Sequence, residues 1–339
     1  MPPPATPTIC VAIVNYNYAR YLPQAIDSVL DQLDPFDQVI IVDDGSTDNS
    51  REVIAAYDGL VEPILKENGG QLTASLAALA RCRCDYFYVL DADDYVAAEF
   101  VATLRPHLGE AVKVQCQLIG VDGEGEPLGS IFPTYPPNYD AARMRQDNRT
   151  IGFYICPPTA GNVYRRSYLE GLKLSLLQPN EPLDGPPALA APEVGEVVTV
   201  PRPLAYYRVH GSNESRWDKP DADLLQREVR WLSQRWHNVC EMVGRALHPP
   251  PEPLYVIERR IMYGALEGKA VIGPALQFLA KLRFTNHAPR QKLLLAAWAA
   301  LMFVPLGGWR RRLVMARRSP VNRPKIANGL LLRLLRRRA

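Results

Sequence analysis

The stretch VIIVDDGSTDNS, residues 39–50, is an apolar, β-prone run that ends abruptly at two aspartates and a glycine. The chain repeats this pattern on either side: an apolar run at 9–14 ends at Asn15, and another at 86–90 ends at Asp91. Between the runs, apolar residues recur at helical spacing. Strands that alternate with helices and are apolar on both faces are typical of a parallel sheet covered on both sides. The sequence therefore predicts an α/β fold with a mainly parallel sheet flanked by helices.

Polar side chains follow these predicted strands directly. Asn15 and Tyr16 come after the first run, Asp43 after the second, and Asp91 and Asp93 after the run at 86–90. Ligands of open α/β sheets bind beyond the carboxyl ends of the strands. We therefore expect these side chains to converge on one edge of the sheet and to form a binding site there.

The spacing of Asp91 and Asp93 favours a metal site. Carboxylates gathered at one edge repel one another unless a cation or hydrogen-bond donors hold them. Hard oxygen ligands suit Mg²⁺ or Mn²⁺, which also bind diphosphate oxygens and neutralise a departing phosphate. Taken alone, each acidic motif has a simpler interpretation. Asp93 and Asp94 could cap a helix beginning near Ala97, and residues 43–46 could form only a turn.

Seven segments carry the most specific signal in the chain. In order they are ICVAIVNYNYARYLPQAIDSVLDQ (9–32), VIIVDDGSTDNS (39–50), ENGGQLTASLAALA (67–80), YFYVLDADD (86–94), TAGNVYRRSYLE (159–170), EPLDG (181–185) and PLAYYRVHGSN (203–213). Together they resemble the family 2 glycosyltransferases of the GT-A fold. The resemblance implies an inverting hexosyltransferase with a catalytic domain over 1–215, followed by a helical C-terminal region over 216–339.

The resemblance also implies roles for individual residues in binding a nucleoside-diphosphate sugar, usually a UDP- or dTDP-linked one. Tyr16 lies against the base, Asp43 accepts a hydrogen bond from the base or the ribose, and Asp91 faces the ribose and diphosphate. Asp93 is the main protein ligand of the divalent metal, Mg²⁺ or Mn²⁺. His210 approaches the metal or the diphosphate.

Three further residues complete the implied donor-binding set. Asn15 and Asn68 are expected to bind the donor, and Arg208 to support the charge of the phosphates. The alternative for Arg208 is a surface or structural arginine without contact to the donor.

The resemblance assigns the general base to Asp184. An acceptor hydroxyl is a poor nucleophile until a carboxylate takes its proton during attack. The family more often has a Glu-Asp pair at this position, whereas Asp184 is flanked by Leu183 and Gly185. Glu181 is therefore the alternative base. The expected acceptor is a hydroxyl of a glycan or of a lipid-linked sugar.

Composition argues against several other classes of protein. With 47% hydrophobic and 22% charged residues, the composition is that of a globular protein. The net charge of only +3 creates no overall electrostatic field that would attract nucleic acid. The six cysteines form no CxxC pair, and Met1 is followed by prolines instead of a secretory signal. We expect a cytoplasmic protein with buried, inert thiols and no nucleic-acid partner.

The C-terminal third predicts association with a membrane. The apolar run at 293–304 is shorter than the ~20 residues that a spanning helix needs. The stretch from 310 to 338 mixes apolar residues with arginines, which suits a helix lying on an anionic leaflet. We expect peripheral attachment to the inner face of the plasma membrane, in keeping with synthesis of a cell-surface polysaccharide. The alternative is a core helix with a solvated basic tail.

Two competing functions are consistent with the same sheet. The first is a catalytically degenerate nucleotide-binding scaffold, which the presence of Asp43, Asp91, Asp93, Asp184 and His210 argues against. The second is a nucleotidyltransferase, which needs a glycine-rich loop after the first strand. That loop here reads NYNYARYL and has no glycine.

Overall fold

The computed structural model describes residues 6–178, 181–210, 222–244, 246–248, 252–303 and 308–318. The chain divides into two compact units, each built from several segments. The first unit contains residues 1–145, 154–210 and 237–247, and the second contains 146–153, 211–236 and 248–339. The single domain boundary expected at 215 stays a prediction.

A nine-stranded sheet forms the centre of the first unit. Its strands are β1 (Ile9–Asn15), β2 (Gln38–Asp44), β3 (Glu62–Lys66), β4 (Tyr86–Asp91), β5 (Tyr95–Val96), β6 (Lys113–Val121), β7 (Pro127–Phe132), β8 (Asn162–Arg165) and β9 (Val197–Arg208). They are ordered β3-β2-β1-β4-β8-β6-β9-β5, with β7 paired to β6. The first four strands of this order are parallel, and antiparallel pairs flank β8. The predicted α/β fold class is confirmed.

Helices cover the sheet of the first unit. They are α1 (Leu22–Leu30), α2 (Ser50–Ala55), α3 (Gln71–Leu79), α4 (Phe100–Leu104), α6 (Arg166–Glu170) and α7 (Pro186–Val194), while α5 (Ala141–Ile151) and α8 (Ala222–Val243) contribute residues to both units. Helix α1 shows why the pattern folds this way. Its buried residues Leu22, Ala25, Ile26 and Val29 follow the helical repeat and pack into the core that contains β1. Full burial of each large aliphatic side chain contributes about 1.5–3 kcal/mol.

The acidic turn after β4, residues 91–94, does not begin a helix. It leads into β5, which pairs antiparallel with β9, and α4 starts only at Phe100. The residue before α4 is Glu99, which makes no side-chain capping bond. The interpretation of Asp93 and Asp94 as helix caps is therefore wrong.

The described cysteines are all free. Cys10, Cys82, Cys84 and Cys116 are buried, while Cys156 and Cys240 are partly exposed. Burial raises the pKa of the Cys116 thiol to about 12, so this thiol stays protonated. The structure thus agrees with inert thiols at the four buried positions.

The second unit is helical in its described part. Helices α9 (Leu254–Leu266), α10 (Ile272–Leu282), α11 (Pro289–Leu301) and α12 (Gly308–Arg318) surround a core that includes Ile257, Phe278 and Trp298. None of the helices in the described ranges is both long enough and apolar enough to cross a bilayer. The predicted interfacial segment 310–338 lies outside the described residues beyond Arg318.

Candidate active site

The ends of three adjacent strands bring the expected polar side chains together. Asn15 at the end of β1 is the register partner of Asp43 on β2, and Val14 is the partner of Asp91 on β4. Neighbouring strands lie about 4.8 Å apart, so the three residues Asn15, Asp43 and Asp91 occupy one edge of the sheet. The expected convergence at the carboxyl ends is observed.

Asp43 is fully buried and held by donors from two loops. Asn15 Nδ2 donates to its Oδ2 at 3.0 Å, while the Ser46 backbone N–H and Arg51 Nε donate to its Oδ1 at 3.1 and 3.0 Å. Burial alone would raise the pKa of Asp43, but hydrogen bonds from Ser46, Arg51 and Asn15 outweigh it and hold the pKa below its usual value. The carboxylate is therefore ionised at neutral pH.

Asn15 keeps one acceptor atom without a partner. Its side chain is fully buried, and Nδ2 also donates to Ser46 Oγ at 3.1 Å. Among the described residues, its Oδ1 has no hydrogen-bond donor. Tyr16 follows directly and has 47% of its surface exposed, so its ring is accessible at the same strand end.

Asp44 organises the loop that contains Asn68, a role that the sequence did not reveal. Its carboxylate accepts from Lys66 Nζ at 2.5 Å and from the backbone N–H groups of Gly69 and Gly70 at 3.0 and 2.8 Å. Asn68 Nδ2 donates to the backbone oxygen of Asp44 at 2.9 Å. Asn68 thus fixes the loop between β3 and α3 against the end of β2, and its contact with a donor stays a prediction.

Gln71, the first residue of α3, is a site residue that sequence reasoning missed. Its Nε2 donates to Asp91 Oδ1 at 2.6 Å. The amide orients one oxygen of Asp91 and keeps it in place at the strand end. No local pattern marks this glutamine, because the contact joins residues twenty positions apart across two elements.

Asp93 and His210 form a close pair. His210 Nε2 lies 2.9 Å from Asp93 Oδ2, and both side chains are about nine-tenths buried. The rings of Tyr18 and Tyr21 contact the imidazole at centroid distances of 5.6 and 5.0 Å. The structure thus brings together the two residues that the resemblance implied as metal ligands.

The donor atoms of this pair fit a divalent cation. Adjacent ligands of an octahedral ion with bonds of about 2.1 Å lie about 3 Å apart, close to the observed separation of Asp93 and His210. In the described part of the chain, no group of three or more His, Cys, Asp or Glu residues is arranged to hold a metal. A metal held here therefore needs further ligands from elsewhere, such as diphosphate oxygens or water.

Arg208 lies behind the acidic turn and is only 2% exposed. Its Nε donates to the backbone oxygen of Asp93 at 2.7 Å, and its Nη1 donates to the backbone oxygens of Asp122 and Gly123 at 3.3 and 3.0 Å. Its Nη2 donates to Gln24 Oε1. These contacts make Arg208 a support of the turn that carries Asp93, and its contact with a phosphate stays a prediction.

Asp94 reinforces this support. Its Oδ1 accepts the backbone N–H of Arg208 at 2.8 Å, and the guanidinium lies over the rings of Tyr21 and Tyr95 at 4.7 and 5.4 Å. Burial raises the pKa of Asp94 well above its usual value, and the neighbouring Asp93 adds to the rise. Asp94 is a buried structural group, whereas Asp93 faces His210.

Asp184 lies in a separate, partly exposed turn just before α7. Three buried tyrosine hydroxyls hold the backbone on both sides of it. Tyr164 donates to the oxygen of Leu183 at 3.0 Å, and two more tyrosines donate to α7: Tyr168 to Pro187 at 2.5 Å and Tyr154 to Ala188 at 2.8 Å. Glu181, the alternative base, is almost fully buried.

Comparisons with known proteins show which sequences and folds this chain is similar to. The sequence pattern described as Glycosyl transferase family 2 matches residues 10–172. An uncharacterized glycosyltransferase of Nostoc sp., alr2836, is 34% identical over 225 residues, which are 60% of this chain and 66% of the relative. The chain thus spans just under two thirds of that relative's length.

Two solved structures are similar over most of the chain. One is the mannosyltransferase PcManGT of Pyrobaculum calidifontis in complex with GDP-Man and Mn²⁺, with a TM-score of 0.51 and 17% identity, covering 94% of this chain and 87% of that one. The other is S. aureus TarS 1-349 in complex with UDP-GlcNAc, with a TM-score of 0.50 and 14% identity, covering 92% and 91%. At these identities the likeness concerns the fold, and it confirms the predicted GT-A architecture.

Proposed function

We propose that the chain is an inverting hexosyltransferase of glycosyl transferase family 2, because the pattern of that family matches residues 10–172. It moves a sugar from a nucleoside-diphosphate donor, UDP- or dTDP-linked, to a hydroxyl of a glycan or lipid-linked acceptor. The observation that carries the proposal is the row Asn15–Asp43–Asp91 at three strand ends, continued by the pair Asp93–His210. The nucleotide sugars bound by both similar structures support a donor at this edge.

The base and ribose of the donor bind at the ends of β1 and β2. The exposed ring of Tyr16 stacks on the base. Asp43 is ionised, and its described contacts use three of the four acceptor positions of a carboxylate. The remaining position on Oδ2 accepts a hydrogen bond from the base or ribose, and Asn15 Oδ1 offers a second acceptor beside it.

The diphosphate binds at the acidic turn. Asp93 and His210 would hold a divalent ion, Mg²⁺ or Mn²⁺, which when bound neutralises the charge that grows on the departing diphosphate. Arg208 and Asp94 keep the turn in place from behind, and Gln71 orients Asp91 toward the ribose and diphosphate. This rigid support reduces the reorganisation needed when the leaving group departs.

Asp184 acts as the general base. The acceptor oxygen attacks the anomeric carbon as the bond to the diphosphate breaks on the opposite face, and Asp184 takes the hydroxyl proton during attack. One displacement of this kind inverts the anomeric centre. Tyr164 and Tyr168 hold the backbone on either side of Asp184, so the segment that carries the carboxylate is fixed in place.

The test compares Asp184→Asn with Glu181→Gln and with the exposed control Glu196→Gln. A panel of UDP-, dTDP- and GDP-sugars is screened with Mn²⁺ for slow hydrolysis, in which water replaces the acceptor, and for thermal stabilisation. We expect Asp184→Asn to keep the stabilisation by donor while losing about 10²-fold or more of hydrolysis, as removal of a general base does. Retained turnover in Asp184→Asn would reassign the base, and loss in Glu181→Gln alone would assign it to Glu181. If the wild type hydrolyses none of the donors, the alternative function, a catalytically degenerate nucleotide-binding scaffold, is favoured.

The basic C-terminal segment supports the proposal that the enzyme acts at the inner face of the plasma membrane. Helix α12 begins this segment: it carries the partly exposed Trp309, and the Arg312 guanidinium lies 5.6 Å from the centre of that ring. Aromatic and arginine side chains in this combination suit a peripheral contact with anionic lipid. Replacing Arg333, Arg336, Arg337 and Arg338 by glutamine should move the protein from the membrane pellet to the supernatant. Unchanged pelleting would refute the tail as an anchor.

A further inference from the structure

The last part of the sequence carries a large excess of basic residues. No aspartate or glutamate follows Glu267, whereas sixteen lysines and arginines do. This bias begins well before the tail, because Lys269, Lys281, Arg283, Arg290 and Lys292 all lie in or between the helices of the second unit. An unbalanced charge of this kind attracts an anionic surface.

Helix α10 presents an apolar row on its outer side. Its inner side is formed by Ala275, Phe278 and Leu282, which are buried. On the other side, Ile272 and Leu276 are each 57% exposed. At 100° per residue these two side chains and Arg283 fall within a sector of about 40°. The exposed row of α10 is therefore apolar and ends in a cation.

Helix α11 lacks the polar outer face that a surface helix normally has. All nine residues from Leu293 to Leu301 are apolar. Trp298 and Ala299 face the core, but Leu293 is 70% exposed and Leu294 is also exposed. A helix of a water-exposed protein would carry charged or polar residues at these outer positions. The composition of α11 indicates that its outer side meets an apolar environment.

The two rows meet where α10 ends and α11 begins. Lys292 Nζ donates to the backbone oxygen of Arg283 at 3.1 Å, which joins the start of α11 to the end of α10. The Arg283 guanidinium lies 4.6 Å from the centre of the exposed Phe284 ring. We name this surface the α10–α11 face and define it by six residues: Ile272, Leu276, Arg283, Phe284, Lys292 and Leu293.

We propose that the α10–α11 face docks on the surface of an anionic lipid bilayer. Its apolar side chains enter the headgroup region, while Arg283 and Lys292 meet lipid phosphates at the edge of the contact. Anionic lipid is the occupant because the face combines exposed aliphatic side chains with cations, and no acidic residue follows Glu267 in the sequence. The inference deepens the membrane association proposed above, since it assigns binding to the folded second unit in addition to the tail.

Binding of the full chain to vesicles tests the proposal. Flotation is measured with phosphatidylcholine vesicles that contain or lack about 30% phosphatidylglycerol, at low and high salt. The variant Ile272→Gln/Leu276→Gln/Leu293→Gln should bind the anionic vesicles about tenfold or more weakly than the wild type. The variant Arg283→Gln/Lys292→Gln should lose about fivefold per charge, and this loss should shrink at high salt. The matched control replaces exposed leucines of the first unit, Leu33→Gln/Leu60→Gln, and should bind as the wild type does.

The outcomes separate this inference from the role of the tail. Wild-type binding by the triple glutamine variant would overturn the inference. If that variant binds normally while the tail variant with Arg333, Arg336, Arg337 and Arg338 replaced does not, the tail alone is the anchor. If the wild type binds vesicles neither with nor without phosphatidylglycerol, the α10–α11 face and the tail are both refuted as membrane anchors. A triple variant that loses self-association in light scattering while binding vesicles normally would identify the face as a contact between copies of the chain, which also overturns the inference. Equal unfolding temperatures of all variants ensure that the comparison concerns folded protein.

Discussion

Replacing Arg208 by methionine tests whether this buried guanidinium supports the acidic turn. The substitution leaves the backbone oxygens of Asp93, Asp122 and Gly123 and the side chain of Gln24 without their donor. Removing one member of a buried charged network costs about 3–5 kcal/mol. For a folded unit of this size each kcal/mol lowers the unfolding temperature by about 2–4 °C, so we expect a drop of about 10 °C.

Thermal unfolding of the Arg208→Met variant is measured beside Arg202→Met. Arg202 lies on the same strand, but its side chain is half exposed and its ion pair with Glu99 is 3.7 Å long, so its removal should cost less than about 1 kcal/mol. The supporting role also predicts that Arg208→Lys recovers only part of the loss, since an ammonium cannot reach all four acceptors. If Arg208→Met unfolds like the wild type and only weakens nucleotide binding, Arg208 is a phosphate ligand and the reasoning is wrong.

Two further predictions concern the strand-end loops. Because the pKa of Asp43 is lowered in the folded state, the stability it contributes is present above about pH 4 and is lost as the pH falls through the folded pKa. Asp43→Asn should therefore narrow the difference between urea midpoints at pH 7 and pH 3, and an unchanged difference would contradict the assigned hydrogen bonds. Gly45 has φ +79°, and a Cβ there would lie 2.5 Å from the backbone nitrogen of Asn68. Gly45→Ala should cost about 1–3 kcal/mol in urea unfolding, and a neutral result would mean that the loop relaxes freely.

The sequence predicted the parallel part of the fold because β1, β2 and β4 each contain a continuous apolar run that ends in polar residues. The positions of Asn15, Asp43 and Asp91 at one sheet edge follow from that pattern and from the parallel order. The antiparallel part was not predicted. Strand β5 has only two residues and exists because it pairs with β9, more than a hundred positions away. No local signal encodes that pairing, which is also why the acidic turn was open to interpretation as a helix cap.

The supporting contacts of the site could not be predicted for the same reason. Gln71 and Tyr164 look like an ordinary helix residue and an ordinary strand aromatic, and only the folded chain brings them to Asp91 and to the segment of Asp184. Arg208 was singled out by its motif, but its burial depends on carbonyl groups from a loop some eighty-five positions earlier in the chain. Sequence patterns locate the charged residues, whereas the groups that orient them come from tertiary contacts.

The most direct test of the central claim is the effect of Mn²⁺ on the affinity for UDP, dTDP and GDP, measured by calorimetry for the wild type and Asp93→Asn. The expected result is that Mn²⁺ tightens binding of at least one nucleotide to the wild type by about tenfold or more, and that Asp93→Asn loses this gain. The exposed control Asp58→Asn should behave as the wild type does. Nucleotide binding that is indifferent to Mn²⁺ in the wild type, or a full Mn²⁺ effect in Asp93→Asn, would contradict it.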